Sequence, residues 1–266
     1  METWTIANQK GGVGKTTTAV ALAGLAAEGS QRVLLIDLDP HGSMTSYFGG
    51  DPDGLNHSIF TLFDNPKQIS LEKIKQLLTP TGFDNITYLP ASTALATLER
   101  KAIGKDGMGL VISRVLACVK ADFDLVIVDS PPILGVMLVN GLVACDRLIV
   151  PVQTEFLALK GLERMLHTLR MLEHSQKKSM SYVIIPTMYD KRTQASISAL
   201  MEIRHRYGAH TWPGKIPVDT LLRNASKQGL PPHLYDGEGR GVTAYRSLLK
   251  WLQPRDINRV RYWEVD

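Results

Sequence analysis

The chain reads as an α/β protein built on a mostly parallel, twisted sheet with helices on both faces, and three observations predict it. Short β-branched runs alternate with helical patterns along the 266 residues. Runs such as Val33-Leu34-Leu35-Ile36 are apolar at every position, as strands covered on both faces are. A glycine-rich loop stands between the first such run and the first helical segment.

The strands predicted are Thr3–Asn8, Arg32–Asp37, Ile86–Leu89, Asp124–Asp129, Arg147–Val152 and Ser181–Pro186. Ala- and Leu-rich Lys15–Glu28 fits a helix. Phe156, Leu159, Leu162, Leu166 and Leu169 recur at helical spacing within Glu155–His174, a stripe that reads as core. Thr193–Gly208 and Val242–Leu252 carry amphipathic patterns, and Gly49–Asn56 is a polar loop. The stretch from Leu125 to Val152 is broken by Asp129, Pro131, Pro132, Asn140 and Asp146, so it reads as strand, loop, helix and strand rather than a membrane span. No repeat, linker or signal segment stands out, and residues 1–266 are expected to form one domain.

With 44% hydrophobic and 21% charged residues, the composition suits a soluble protein with a large core. Cys118 and Cys145 lie far apart in apolar segments without metal-ligand spacing, which predicts reduced core thiols in a cytoplasmic protein. The net charge of +4 is uneven: residues 190–266 hold 13 Lys/Arg against 8 Asp/Glu, while residues 1–189 hold 17 against 18. That basic excess suits either a nucleic-acid footprint or a solvated helical surface.

The segment Lys10-Gly11-Gly12-Val13-Gly14-Lys15-Thr16-Thr17 carries the chemistry. Glycines let successive N–H groups turn inward on phosphate oxygens, and the following helix presents its positive end to the same anion. In such a loop Lys15 reaches the β- and γ-phosphates and the Thr16 hydroxyl ligates Mg²⁺. The first glycine of the general pattern is replaced by Gln9, and Lys10 follows it. The loop thus resembles the deviant Walker A motif, KGGxGK then Ser or Thr, of the ParA/MinD family of P-loop NTPases. In that family the first lysine contacts phosphate across a dimer interface, which implies that Lys10 acts in trans.

Other segments extend the resemblance. Asp37-Leu38-Asp39-Pro40-His41-Gly42-Ser43 resembles the family's DxDPQGN, which implies that Asp39 orients the attacking water or the metal and that a first switch follows. His41 replaces the usual Gln and is expected to face solvent. Asp129-Ser130-Pro131-Pro132-Ile133-Leu134-Gly135 resembles DxPPxLG, which implies that Asp129 is the Walker B carboxylate holding Mg²⁺ and that residues 131–135 form a second switch. The stretches Val139–Ala144, Pro151–Gly161 and Tyr189–Thr193 look like ParA rather than MinD. Adenine is expected near Thr187–Tyr189 and Ile216–Asp219, with Met188, Pro217 and Asp219 as contacts. The likeness covers residues 3–48, 124–208 and 216–252; residues 49–115 diverge and suit a specific partner.

The resemblance implies an ATP- and Mg²⁺-dependent switch ATPase that dimerises around ATP, is stimulated by a partner protein and positions a cargo. ParA arginines that serve nonspecific DNA binding are replaced by Val218 and Leu221, but Arg223 and Lys227 lie nearby at helical spacing, and Arg192 adds to that basic set. The ATP dimer is therefore expected to bind nonspecific DNA in a nucleoid-associated role. As the alternative, the segment DPHGSMTSYFG resembles ParA-like proteins of chemotaxis arrays, which implies a protein anchor and a polar location. A MinD-like membrane helix is not expected from the tail Arg259–Asp266. An iron protein would need cysteines in Ser130–Val136, a tyrosine kinase a C-terminal tyrosine cluster and a GTPase an NKxD motif, and none is present. A small-molecule ATP-dependent ligase uses the same fold and stays as the alternative of another class.

Overall fold

The computed structural model describes residues 1–54, 57–101, 107–177 and 179–253. Seven strands run as β1 (Glu2–Ile6), β2 (Val33–Asp37), β3 (Thr79–Pro80), β4 (Ile86–Leu89), β5 (Leu125–Asp129), β6 (Arg147–Gln153) and β7 (Ser181–Thr187). They form one sheet in the order β3-β4-β2-β5-β1-β6-β7, parallel throughout except for β3, which pairs antiparallel with β4 at the edge. The six predicted strands are all present, within two residues at each end. The helices are α1 (Lys15–Glu28), α2 (Ser43–Tyr47), α3 (Phe60–Asp64), α4 (Leu71–Leu77), α5 (Leu95–Lys101), α6 (Val111–Val119), α7 (Val136–Ala144), α8 (Phe156–Gln176), α9 (Gln194–Tyr207), α10 (Thr220–Lys227), α11 (Pro232–Tyr235) and α12 (Arg240–Leu252).

Side chains alternate across the pleat, so one strand feeds two cores. Val33 and Leu35 point to the layer holding α1 and α12, with Trp4, Leu22, Tyr245 and Leu248. Leu34 and Ile36 point to the opposite layer, with residues of α3 to α6 such as Leu62, Ile74 and Val115. Beyond it, α7, α8 and α9 cover β6 and β7 through Leu138, Leu162 and Ile203. This double burial explains why the strands lack polar alternation. Cys145 is buried and Cys118 half-buried.

The leucine stripe of α8 packs as expected from Leu159 to Leu169, but Phe156 is 72% exposed. It occupies the first position of the helix, just past the end of β6, where no sheet remains to cover it. Residues 55 and 56 of the polar loop and the tail Arg259–Asp266 lie outside the described residues. Among the described residues no helix is long and apolar enough to cross a membrane.

One buried polar side chain fixes α7. The Asn140 amide donates to Met108 O at 2.7 Å and Val136 O at 2.9 Å, and its Oδ1 accepts from Ile112 N at 3.1 Å. Asn140→Ala orphans these groups in a dry site, so it is expected to lower unfolding free energy by about 2 to 3 kcal/mol in a urea titration.

Candidate nucleotide site

The site lies at the carboxyl ends of the central strands, where the strand order reverses beside β1. Register sets its carboxylates: Asp129 of β5 is paired with Ile6 of β1 on one side and with Asp37 of β2 on the other. The loop of residues 7–14 leaves β1 and delivers Lys15 to the start of α1. Gly12 and Gly14 sit at φ +74° and +90°, conformations that side chains rarely adopt, and a Cβ added at either would project into open space. Asn8, fully buried, shapes the start of the loop: its amide donates to Pro151 O at 2.7 Å and its Oδ1 takes Lys10 N–H at 3.1 Å. Gln9, at the position of the missing glycine, donates to the Thr168 hydroxyl on α8 at 2.7 Å.

Two cavities meet over this loop. The first, of about 480 Å³, is lined by Gly11, Gly12, Gly14, Lys15, Thr16 and Thr17, with Asp39, His41, Ser43, Tyr47, Pro132, Met188 and Ser226 opposite. The second, of about 340 Å³, holds Val13, Thr187, Met188, Ile216, Pro217, Val218, Asp219 and Tyr245, with Leu222 and Arg223 at α10. They share Gly14, Thr17, Met188 and Ser226, so one groove runs from a compartment lined by Ile216, Pro217, Val218 and Leu222 to one lined by Lys15, Thr16, Thr17 and Asp39. That division matches a purine base at one end and phosphates at the other.

Thr16 Oγ1 donates to Asp129 Oδ2 at 2.6 Å, while Asp129 Oδ1 is buried and has no hydrogen-bond partner among the described residues. Burial pushes the Asp129 carboxyl well above the usual carboxylate range, and neighbouring Asp37 adds to the shift. Burial raises Asp37 too, offset by hydrogen bonds from Thr45 and from Asp39 N–H. Lys15 is lowered by burial, with Asp129 and Asp39 opposing. Two raised carboxyls and an orphaned oxygen fit a divalent cation held beside Thr16. Among the described residues no cluster of three His, Cys, Asp or Glu side chains could hold a metal alone. A hydroxyl and phosphate oxygens must complete the shell, as suits Mg²⁺.

Asp39 stands on the lip of the phosphate cavity, 13% exposed. His41 is exposed as expected, but its Nδ1 lies 2.9 Å from Asp39 Oδ1, which also takes the His41 N–H at 3.0 Å. The tight turn between residues 39 and 42 folds the imidazole back on the carboxylate. Lys10 lines neither cavity; its ammonium pairs with Glu155 at the start of α8 and lies 3.4 Å from Gln153 Oε1.

Three of the expected binding residues are placed differently from the simple reading. Asp219 borders the base cavity, but both its oxygens are engaged, Oδ1 capping α10 through Leu221 N and Oδ2 accepting from Gly241 N. Arg223 borders the same cavity while standing exposed on α10 near Lys227. Arg192 is gripped bidentately by Asp190, which offsets its charge. Gln153, from the ParA-like stretch Pro151–Gly161, and Ser226 also line the groove, and so does Tyr245, which no local motif marks because it comes from the distant α12. Met188 lies where the base is expected, and it sits at φ +52°, a left-handed conformation unusual for its type.

A phosphate loop at a strand end, a buried lysine and a threonine facing a strand-end aspartate define a P-loop nucleotide-binding protein. A family model described as an AAA domain matches residues 1–202. The chain is 33% identical to the sporulation initiation inhibitor protein Soj of Bacillus subtilis, over 92% of this chain and 95% of that protein. It is 32% identical to the chromosome partitioning protein ParA of Myxococcus xanthus, over 94% of this chain and 87% of that one. A cobyrinic acid a,c-diamide synthase structure from Mycobacterium smegmatis, with bound ATP analogue and magnesium, superposes with a TM-score of 0.79 at 33% identity, covering 94% and 93% of the two chains. The chain belongs to the ParA/MinD family of P-loop ATPases.

Proposed function

We propose that the protein is an ATP-dependent switch that binds Mg²⁺–ATP, dimerises around it and partitions or positions a cargo, with a partner protein stimulating slow hydrolysis. The observation that carries this reading is the pair of lysines at the loop: Lys15 lines the phosphate cavity, while Lys10 lines neither cavity and pairs with partly exposed Glu155. In this reading the base fills the compartment of Met188, Pro217 and Tyr245, and Lys15 with the N–H groups of residues 11–17 holds the phosphates. Thr16 and Asp129 hold Mg²⁺, with Asp39 near it, and the ion neutralises phosphate charge when bound. Asp39 orients the attacking water. Lys10 leaves Glu155 to meet the partner subunit's nucleotide.

The ATP dimer is proposed to bind DNA without sequence preference, a nucleoid-associated role. Arg223 and Lys227 make no ion pair among the described residues and lie one turn apart on an exposed face, unlike Arg192. Two such faces in a dimer neutralise on the order of four phosphates, and each contributes about 0.9 to the log–log salt slope. Binding to mixed-sequence duplex by an Asp39→Ala dimer should therefore weaken roughly a hundredfold between about 50 and about 200 mM salt. Arg223→Glu should weaken it on all sequences alike. No binding at low salt would discard the DNA model in favour of a protein anchor, the array-type alternative.

Likeness to the Mycobacterium smegmatis synthase supports a second reading, an ATP-dependent ligase. A ligase consumes ATP only with an acceptor and has no need of Lys10. Turnover of ATP alone, together with ATP-driven dimerisation, would eliminate it.

A further inference from the structure

We infer that Glu99 is a positioning residue for ATP hydrolysis: from α5 it clamps the far end of the loop that carries Pro132 to the phosphate cavity. The inference rests on the ATPase reading and adds a residue that no motif marks.

A helix begins with unpaired N–H groups, and a side chain just before it usually satisfies them. Gly135, at that place in α7, offers none. Instead Val136 N–H donates to Glu99 Oε2 at 2.8 Å and Met137 N–H donates to Oε1 at 2.9 Å. One carboxylate thus caps α7 with both oxygens, from 37 residues upstream, and its charge is favourable at the positive end of the helix. Gly135 is what admits it. A Cβ there would stand 2.1 Å from Glu99 Oε2, whereas the backbone at φ −156° is extended and asks for no glycine.

The loop between β5 and α7 has few other anchors. At its near end Ser130 donates to Ile6 O through both its N–H and its hydroxyl. Pro132 then lines the phosphate cavity, and Ile133 and Leu134 are exposed, 70% and 48%. The loop is therefore a short span fixed at Ser130 and at Glu99, and two prolines stiffen the part between them. Moving the second anchor moves Pro132 against the cavity. Asn140 holds the body of α7 separately, so removing the Glu99 carboxylate frees the loop without releasing the helix. Misplacing such a loop slows chemistry more than binding, because phosphate affinity resides in residues 11–17.

The test uses the full chain with Glu99→Ala, Glu99→Gln and Gly135→Ala, reading kcat and KM for ATP, melting temperature, and hydrogen exchange over residues 131–140. Glu99→Ala is expected to lower kcat roughly tenfold with KM within about twofold, and to speed exchange at Val136 and Met137. Glu99→Gln keeps one acceptor oxygen and should fall between. Gly135→Ala should reproduce the kcat loss with the carboxylate intact, and the double variant should lose little more. If wild type turns over ATP and the variants match it, or lose kcat and ATP affinity only with folded fraction, the clamp is overturned alone. If wild type shows no turnover, the ATPase reading falls and the clamp with it.

Discussion

Lys15→Ala is expected to abolish tight ATP binding while leaving the fold standing. Lys15 is buried and lines the phosphate cavity, and a water in its place would bring no charge to phosphate oxygens. Removing a charge-assisted hydrogen bond there costs about 3 kcal/mol, more than a hundredfold in Kd. The apo protein should not suffer in proportion. Burial lowers the Lys15 pKa, so the charged form sits less comfortably in the fold than in the unfolded chain, and removing it relieves that cost. Isothermal calorimetry should show binding gone, and thermal melting should show an unchanged apo midpoint that ATP no longer raises. Thr16→Ala should behave alike in Mg²⁺ and differ less from wild type in its absence, because it removes the hydroxyl that faces Asp129. Retained micromolar ATP affinity in Lys15→Ala, or GTP preferred over ATP by the wild type, would contradict the site assignment.

Much of this site was legible because its parts are contiguous. The loop of residues 10–17, Asp39 just past β2 and Asp129 at the end of β5 are local patterns, and continuous apolar runs mark the parallel strands that lead into them. What was illegible is what depends on register and distance. Nothing in the sequence says that β5 lies between β2 and β1, which sets Asp37 against Asp129; burial raises both carboxyls, and Asp37 adds to the shift of Asp129. Strand β3 is two residues at an edge, too short to show a period. Asp219 reads as a nucleotide-binding residue by position, yet its carboxylate is occupied in capping α10 and holding Gly241. Phe156 begins a true apolar stripe but overhangs the sheet. Glu99 lies in the stretch where the family likeness fades, and only the folded chain shows that it reaches α7.

Asp39→Ala is expected to trap the ATP-bound dimer, and Lys10→Ala to prevent its formation. Asp39 stands at the lip of the phosphate cavity, and in the proposed site the N–H groups of the loop and the start of α1 hold phosphate without it. Losing a water-orienting carboxylate typically costs about 10² to 10⁴ in rate, so hydrolysis should fall at least a hundredfold while ATP stays bound. Lys10 presents the opposite case. In the single chain it pairs with Glu155, but the two side chains are 25% and 39% exposed. Such a pair stabilises by about 0 to 1 kcal/mol, too little to hold the lysine against a phosphate offered by a second subunit. In the proposed dimer, exchange of Glu155 for a partner's phosphate would therefore be downhill only when that subunit carries ATP, which would make association depend on the nucleotide. Light scattering after gel filtration should show wild type shifting to a dimer with ATP and drifting back, Asp39→Ala remaining dimeric, and Lys10→Ala remaining monomeric with ATP bound. Normal dimerisation by Lys10→Ala, with Asp39→Ala hydrolysing at the wild-type rate, would sink the in-trans mechanism.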